Sequence, residues 1–240
     1  MNANARWQEI IAENMASSSI PGFKKQDVSF AAVQAGLLSP TAVGGAGQAQ
    51  PVSLSAAQAH TNFSPGPIRR TDVSTDFAID GQAMFEVQLP NGSSGYTRDG
   101  EFKMNAQGQL VTKQGYPVMG DSGLLQLDPT SSATITVAAD GTISQGTEVR
   151  GRLSLVEFNK PNLLTTIGGG YYLAQDMNLQ RLPESASSVR QGFLEGANTS
   201  AVLEMANLIT VMRAYEANQR VVQVQDERMG RAISELGNPN

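Results

Sequence analysis

The sequence predicts an α+β protein in which N- and C-terminal helices pair as a coiled-coil layer and flank one central all-β domain. Three observations predict it. From Ala201 to Leu236, the positions Ala201, Met205, Leu208, Met212, Tyr215, Gln219, Val222, Asp226, Met229, Ile233 and Leu236 recur at alternating spacings of four and three, and nine of the eleven are apolar. Between Ile68 and Leu182 the apolar period drops to two, with Asp-Gly and Asn-Gly pairs between the runs. At the other end of the chain Ala3, Trp7, Ile10 and Asn14 share one helical face, with Ile11 beside it.

Taken in order, residues 2–16 read as a helix that stops at Ser17-Ser18-Ser19-Ile20-Pro21-Gly22, because Pro21 biases Ile20 away from the helical region and Gly22 permits a turn. Gln26 to Val33 reads as an extended segment that pairs elsewhere, and 1–38 is expected to act as one N-terminal segment. Residues 39–66, rich in Gly, Ala, Ser, Gln and Pro, read as a linker with little core of its own. The all-β domain is expected over 67–185. Its strands are expected at Phe77-Ala78-Ile79, Met84 to Val87, Gln109 to Thr112, Ala133 to Val137 and Arg152 to Phe158. Turns that need positive φ are expected at Asp80-Gly81, Asn91-Gly92, Asp99-Gly100, Gln107-Gly108 and Asp140-Gly141. Pro183 to Ser188 reads as a second linker, and 186–240 as the segment of the long helix. A helix of about 36 residues is about 54 Å long at its rise of about 1.5 Å per residue. Such a helix outruns the width of a small domain, so its apolar seam needs partners along its length. The pattern therefore points to assembly and not to an enzyme.

Composition narrows the classes further. A net charge of −5 and only 16% charged residues exclude a general nucleic-acid binder. The absence of cysteine excludes disulfides, thiolate catalysis and Cys-based metal sites. No apolar run approaches the roughly 20 residues of a membrane span, and Glu13 and Asn14 interrupt any signal-like stretch after Ile10-Ile11. His60 is the only histidine and lies in the expected linker, where it lacks a metal or triad constellation. Asp72, Asp76 and Asp80 would share a helical face, but their neighbours read as strand and turn, so they are not expected to converge. Gly168-Gly169-Gly170 is followed by Tyr171-Tyr172 and not by a helix with Lys or Ser/Thr, which fits a hairpin better than a phosphate loop. No catalytic residue, cofactor or metal site is expected. Gln219 and Asp226 interrupt the seam, either as it drifts toward solvent or to set register between helices.

Several motifs, in order along nearly the whole chain, resemble those of the bacterial flagellar rod and hook proteins, the axial proteins of the basal body. Asn14-Met15-Ala16-Ser17-Ser18-Ser19-Ile20-Pro21-Gly22-Phe23-Lys24 resembles the family's Asn-Leu-Ala-Asn-x-x-Thr-Pro-Gly-Phe-Lys, with Ser17 for the second Asn and Ile20 for Thr. Phe77 to Phe85 is similar to Leu-Ala-Ile-x-Gly-x-Gly-Phe-Phe, with Ala83 for the second Gly. Tyr96-Thr97-Arg98-Asp99-Gly100-Glu101-Phe102, Gly115 to Gly120 and Asp140-Gly141-Thr142 follow the same pattern. Gly192-Phe193-Leu194-Glu195-Gly196-Ala197-Asn198 resembles the approach to the last helix, with Ala197 for Ser, and Arg213-Ala214-Tyr215-Glu216 resembles that helix itself. The first helix is shorter than the resemblance leads one to expect.

The resemblance implies a structural subunit of the basal-body rod, of the proximal or distal rod type, with a hook-type axial protein or a secreted adhesin-like β module on a helical stalk as alternatives. It implies export by the flagellar type III apparatus without a cleaved signal peptide, a place in the periplasmic rod, and head-to-tail polymerisation. The implied partners are copies of the chain and other rod and hook axial proteins; nucleic acid and membrane embedding are not expected. The candidate subunit interface comprises Met205, Leu208, Met212, Tyr215, Val222 and Met229 on the long helix, with Trp7, Ile10, Ile11 and Asn14 opposite. To these the motifs add Pro21, Gly22 and Phe23 as the exit turn of the first helix, Glu195, and Asn198 as an expected N-cap of the last helix.

Overall fold

The structure, a computed structural model, describes residues 2–37, 51–131, 133–183 and 187–236. Residues 39–50 of the expected first linker and 184–186 of the second lie outside them. The chain divides into two compact units: Met1–Met15, Gln26–His60 and Ala201–Asn240 form one, and Ala16–Lys25 with Thr61–Ser200 form the other.

The first unit holds most of helix α1 (Asn2–Ser17), strands β1 (Gln26–Leu37) and β2 (Pro51–Thr61), and helix α2 (Ala201–Leu236). β1 and β2 pair as a two-stranded ribbon, so residues 51–61 form a strand where composition reads as linker. The reason lies in the local pattern: Val52, Leu54 and Ala56 alternate with Ser53 and Ser55, a period of two hidden inside a low-complexity composition. On α1 the buried residues are Ile10, Ile11 and Asn14, with Trp7 and Met15 half-buried on the same face. The side chain of Asn14 brackets the first residue of β1. Its Oδ1 accepts from the Gln26 N–H at 2.8 Å and its Nδ2 donates to the Gln26 carbonyl at 2.9 Å. Along α2 the sheltered positions are Ala201, Glu204, Leu208, Val211, Tyr215 and Gln219.

The second unit is β-rich. Its strands are β3 (Ile68–Arg70), β4 (Phe77–Asp80), β5 (Met84–Gln88), β6 (Ser94–Thr97), β7 (Phe102–Met104), β8 (Leu110–Thr112), β9 (Met119–Gly120), β10 (Gly123–Leu124), β11 (Ile135–Val137), β12 (Thr142–Gln145), β13 (Glu148–Arg152), β14 (Leu155–Val156), β15 (Thr165–Gly168), β16 (Tyr171–Leu173), β17 (Ser188–Gln191) and β18 (Phe193–Glu195). An antiparallel five-stranded sheet runs β14-β5-β6-β16-β15, beside a three-stranded β11-β12-β13 sheet and the pairs β7-β8, β9-β10, β17-β4 and β18-β3. The five-stranded sheet is covered on both faces. Phe85, Val87 and Tyr171 enter the larger core with Phe77, Phe102, Leu110, Ile143 and Leu153, while Met84, Tyr96 and Tyr172 enter a second core with Val156, Phe158 and Leu164. Alternate side chains of a strand point to opposite faces, so Met84-Phe85 and Tyr171-Tyr172 each supply one residue to each core.

Three local expectations change. The run Arg152 to Phe158 is not one strand: β13 ends at Arg152, Leu153 and Ser154 bond to Gly141 and Met119, and β14 joins the other sheet. β17 and β18, within the segment expected to carry the long helix, belong to the β-rich unit and pair with β4 and β3. Gly81, Gly92, Gly108 and Gly141 have positive φ as their turns require, but Gly100 does not. Gly100 is needed for close approach: a Cβ there would run into the Phe77 carbonyl oxygen, and the Gly100 oxygen accepts the Phe77 N–H at 3.0 Å. The three glycines 168–170 close the β15–β16 hairpin, each with positive φ.

Candidate functional site

Three sequence-distant motifs meet in the β-rich unit around one carboxylate. Residues 16–25 belong to this unit although the residues on either side of them belong to the other. The segment leaves α1 through a turn in which the Phe23 N–H donates to the Ile20 carbonyl across Pro21-Gly22, with Gly22 at φ +65°. Pro fits the first central position of such a turn and Gly the second, where φ is positive. Gly22 also lies flat against the main chain of Arg98, leaving no room for a Cβ.

Past the turn, Lys24 is buried. Its Nζ donates to Glu195 Oε1 at 2.5 Å and to the Ser64 carbonyl at 2.9 Å. The other Glu195 oxygen, Oε2, accepts from Nε of Arg98 at 2.7 Å, with Nη2 of the same guanidinium also 2.7 Å away. The Lys24 and Glu195 side chains are each only 1% exposed and that of Arg98 4%. Gly66 adds a fourth bond, its N–H donating to Glu195 Oε1 at 2.8 Å. The remaining Arg98 donors reach the main-chain carbonyls of Gly81, Ala83 and Ile79. Two cations thus flank one anion, with their polar atoms bonded, which is the condition under which charges are tolerated away from water. Burial pulls the Lys24 amine below its ordinary value, and the Glu195 carboxylate opposes that shift.

Asn198 completes the arrangement, in a role other than the expected N-cap. α2 begins at Ala201, and Asn198 is instead committed to the neighbouring chain segments. Its Oδ1 accepts from the Lys25 N–H at 2.7 Å, and its Nδ2 donates to the carbonyls of Asn62 and Ser64 at 2.7 and 3.1 Å. Main-chain bonds reinforce this: the Gly22 N–H donates to the Glu195 carbonyl at 2.7 Å and the Asn198 N–H to the Phe23 carbonyl at 3.2 Å. Of the residues singled out from sequence, Pro21, Gly22, Phe23, Glu195 and Asn198 therefore gather here. Lys24 and Arg98, equally central, stood in the recognised motifs but carried no signal that they would be buried together.

The other candidates lie in the helical unit. Ile10, Ile11 and Asn14 are buried and Trp7 is half-buried on α1, and Leu208 and Tyr215 are half-buried on α2. Met205, Met212, Val222 and Met229 are 53, 49, 45 and 65% exposed. Glu204 and Val211, which sequence reasoning missed, take the sheltered places. Positions three and four residues beyond a seam residue lie on either side of its stripe, so a heptad pattern alone does not say which one is covered. Among the described residues, no group of three His, Asp or Glu is placed to hold a metal ion, and no helix is long and apolar enough to cross a membrane.

Two family models match the chain, one described as the flagellar hook protein FlgE/F/G D1 domain over residues 78–145 and one as the flagellar basal body rod FlgEFG protein C-terminal over residues 190–235. The chain is 34% identical over 238 residues to the flagellar basal-body rod protein FlgF of Caulobacter vibrioides, covering 98% of this chain and 94% of that one. It is 32% identical over 243 residues to the rod protein FlgG of Buchnera aphidicola subsp. Acyrthosiphon pisum, covering 92% and 90%. It is also 32% identical over 238 residues to FlgF of Escherichia coli, covering 94% and 90%.

Proposed function

Because this chain belongs to the flagellar basal-body rod protein family, we propose that it is a structural subunit of the rod that polymerises head-to-tail through its terminal helices. The observation that carries this reading is the uncovered apolar surface of α2. Met205, Ile209 and Met212 stand about half exposed at helical spacing directly beside the sheltered stripe of Glu204, Leu208 and Val211. A helix with a covered stripe and a second apolar stripe next to it has more sticky surface than its own chain satisfies. Sister copies supply the missing partners: a contact between unlike surfaces of identical chains does not close on itself and so extends into a filament.

In this reading α1 and α2 form a coiled-coil layer, with Trp7, Ile10 and Ile11 facing the α2 seam. The chain reaches the periplasmic rod through the flagellar type III apparatus without a cleaved signal peptide, and its neighbours are further copies and other axial proteins. The relatives are named as rod proteins, which supports a role in packing and not in catalysis. The test is Met212→Asp expressed in a strain lacking the wild-type gene. Basal bodies should lack a complete rod and cells should not swim, while the purified variant keeps the β-sheet circular dichroism and near-UV spectrum of the parent. Normal motility would overturn the interface assignment.

A further inference from the structure

Residues 21–25 are held the way a short peptide ligand is held. Three main-chain hydrogen bonds, Gly22 N–H to the Glu195 carbonyl, Asn198 N–H to the Phe23 carbonyl and Asn62 N–H to the Lys25 carbonyl, run along it. One buried aromatic, Phe23, and one buried cation, Lys24, anchor it. A further bond, from the Lys25 N–H to Asn198 Oδ1, closes its far end. This combination of main-chain bonds for affinity and side-chain pockets for specificity is how proteins recognise extended peptides.

Each of the three side chains that receive the segment also has partners outside it. Arg98 is anchored by the carbonyls of Ile79, Gly81 and Ala83. Glu195 is oriented by Arg98 and the Gly66 N–H, and lies on β18, which pairs with β3. Asn198 is held by Asn62 and Ser64. With the segment absent, Arg98 and Glu195 remain a balanced ion pair, so the empty site buries no uncompensated charge. With it present, Lys24 brings a second cation to Glu195, opposed by its own desolvation and by repulsion from Arg98. The chain on either side of residues 16–25 belongs to the other unit, so non-covalent contacts alone join the segment to the β-rich unit.

We propose that the Glu195–Arg98–Asn198 surface is a preformed peptide-binding site for a Pro-Gly-Phe-Lys segment, filled in cis by residues 21–25, which dock and release as a unit while the β core stays folded. The ligand class is narrow. Position 22 must be Gly, because φ is +65° and any Cβ meets the Arg98 main chain. Position 24 must bring an ammonium to a carboxylate and a carbonyl at once. This inference is independent of how the helices assemble.

Residue-resolved hydrogen exchange on the full wild-type chain tests separability. The amides of Gly22, Lys25 and Asn198 should exchange through an opening at least tenfold more frequent than that of the core amides of Phe77, Val118 and Leu153. A single common opening for all six would overturn the proposal. The full-length variant Gly22→Val then vacates the site. A synthetic peptide spanning residues 18–28 should bind it and restore Asn198 protection, and the same peptide with Lys24→Met should bind at least tenfold more weakly. Equal binding of the two peptides, or no binding by either, would overturn it, as would loss of core protection in Gly22→Val.

Discussion

Lys24 and Glu195, 171 residues apart in sequence, form an ion pair of 2.5 Å with both side chains almost wholly removed from water. Arg98 holds the other carboxylate oxygen. The three members are therefore not equivalent. Glu195→Gln leaves two buried cations without their anion and should lower unfolding stability by about 3–5 kcal/mol. Lys24→Met leaves the Arg98–Glu195 pair intact and removes mainly charge-assisted hydrogen bonds, so it should cost clearly less, about 1–3 kcal/mol. Urea unfolding of the two variants measures the order; a larger loss for Lys24→Met would contradict the description of Glu195 as the hub.

Gly100 should resist substitution although its φ is ordinary. In Gly100→Ala the new methyl meets the Phe77 carbonyl oxygen and the Phe85 ring. Overpacking of this kind costs about 1–3 kcal/mol or more. Gly92→Ala, at an exposed hairpin with open space around it, carries only the backbone penalty of its φ of +80°, about 1 kcal/mol. Thermal melts of the two variants should separate them.

Asp99 makes stability depend on mildly acidic pH. It is buried, and burial pushes its carboxyl from 3.8 up to about 6, with the Glu101 carboxylate adding to the shift and the Glu101 N–H bond opposing it. An acid whose folded-state value is raised binds its proton more tightly in the folded protein. The stabilisation is complete below the unfolded value and lost as pH rises through the folded one. Between about pH 4 and pH 7 the wild type should therefore lose up to about 3 kcal/mol relative to Asp99→Asn, whose Oδ1 keeps the bond from the Glu101 N–H. Parallel pH profiles for the two proteins would count against a buried, protonatable Asp99.

Val211 and Met212 are adjacent, yet Val211 is fully buried while Met212 is 49% exposed. Val211→Asp should destabilise the isolated chain by several kcal/mol, through a charge placed where water is excluded. Met212→Asp should change its stability by no more than about 0.5 kcal/mol, as surface substitutions do. Chemical denaturation monitored by helical circular dichroism checks both, and separates the inner stripe of α2 from its outer one.

The extents of α1 and α2, the strands β4, β5, β8 and β11 and the exit turn at Pro21-Gly22 were legible because each depends on residues close in sequence. Periodicity, proline and glycine report on local backbone preference, and those preferences agree here with the fold. β2 was not legible from composition, because its short alternation of Val52, Leu54 and Ala56 sits in a run dominated by Ser, Ala and Gln. Gly100 looked like a turn glycine, since nothing in the neighbouring residues announces that Phe77 passes over it.

The sequence by itself determined where the chain is helical, that its middle is β, and that one long helix carries more apolar surface than a small domain needs, since these follow from spacing along one backbone. Only the tertiary structure decided that Lys24, Arg98 and Glu195 share one buried cluster, that Asn198 braces neighbouring chain segments and does not cap α2, and that Val211, not Met212, lies inside. The physical reason is the same in each case. Burial depends on which distant segments arrive at a side chain, and a charged residue reads as solvent-facing until its partner, 97 or 171 positions away, is brought against it.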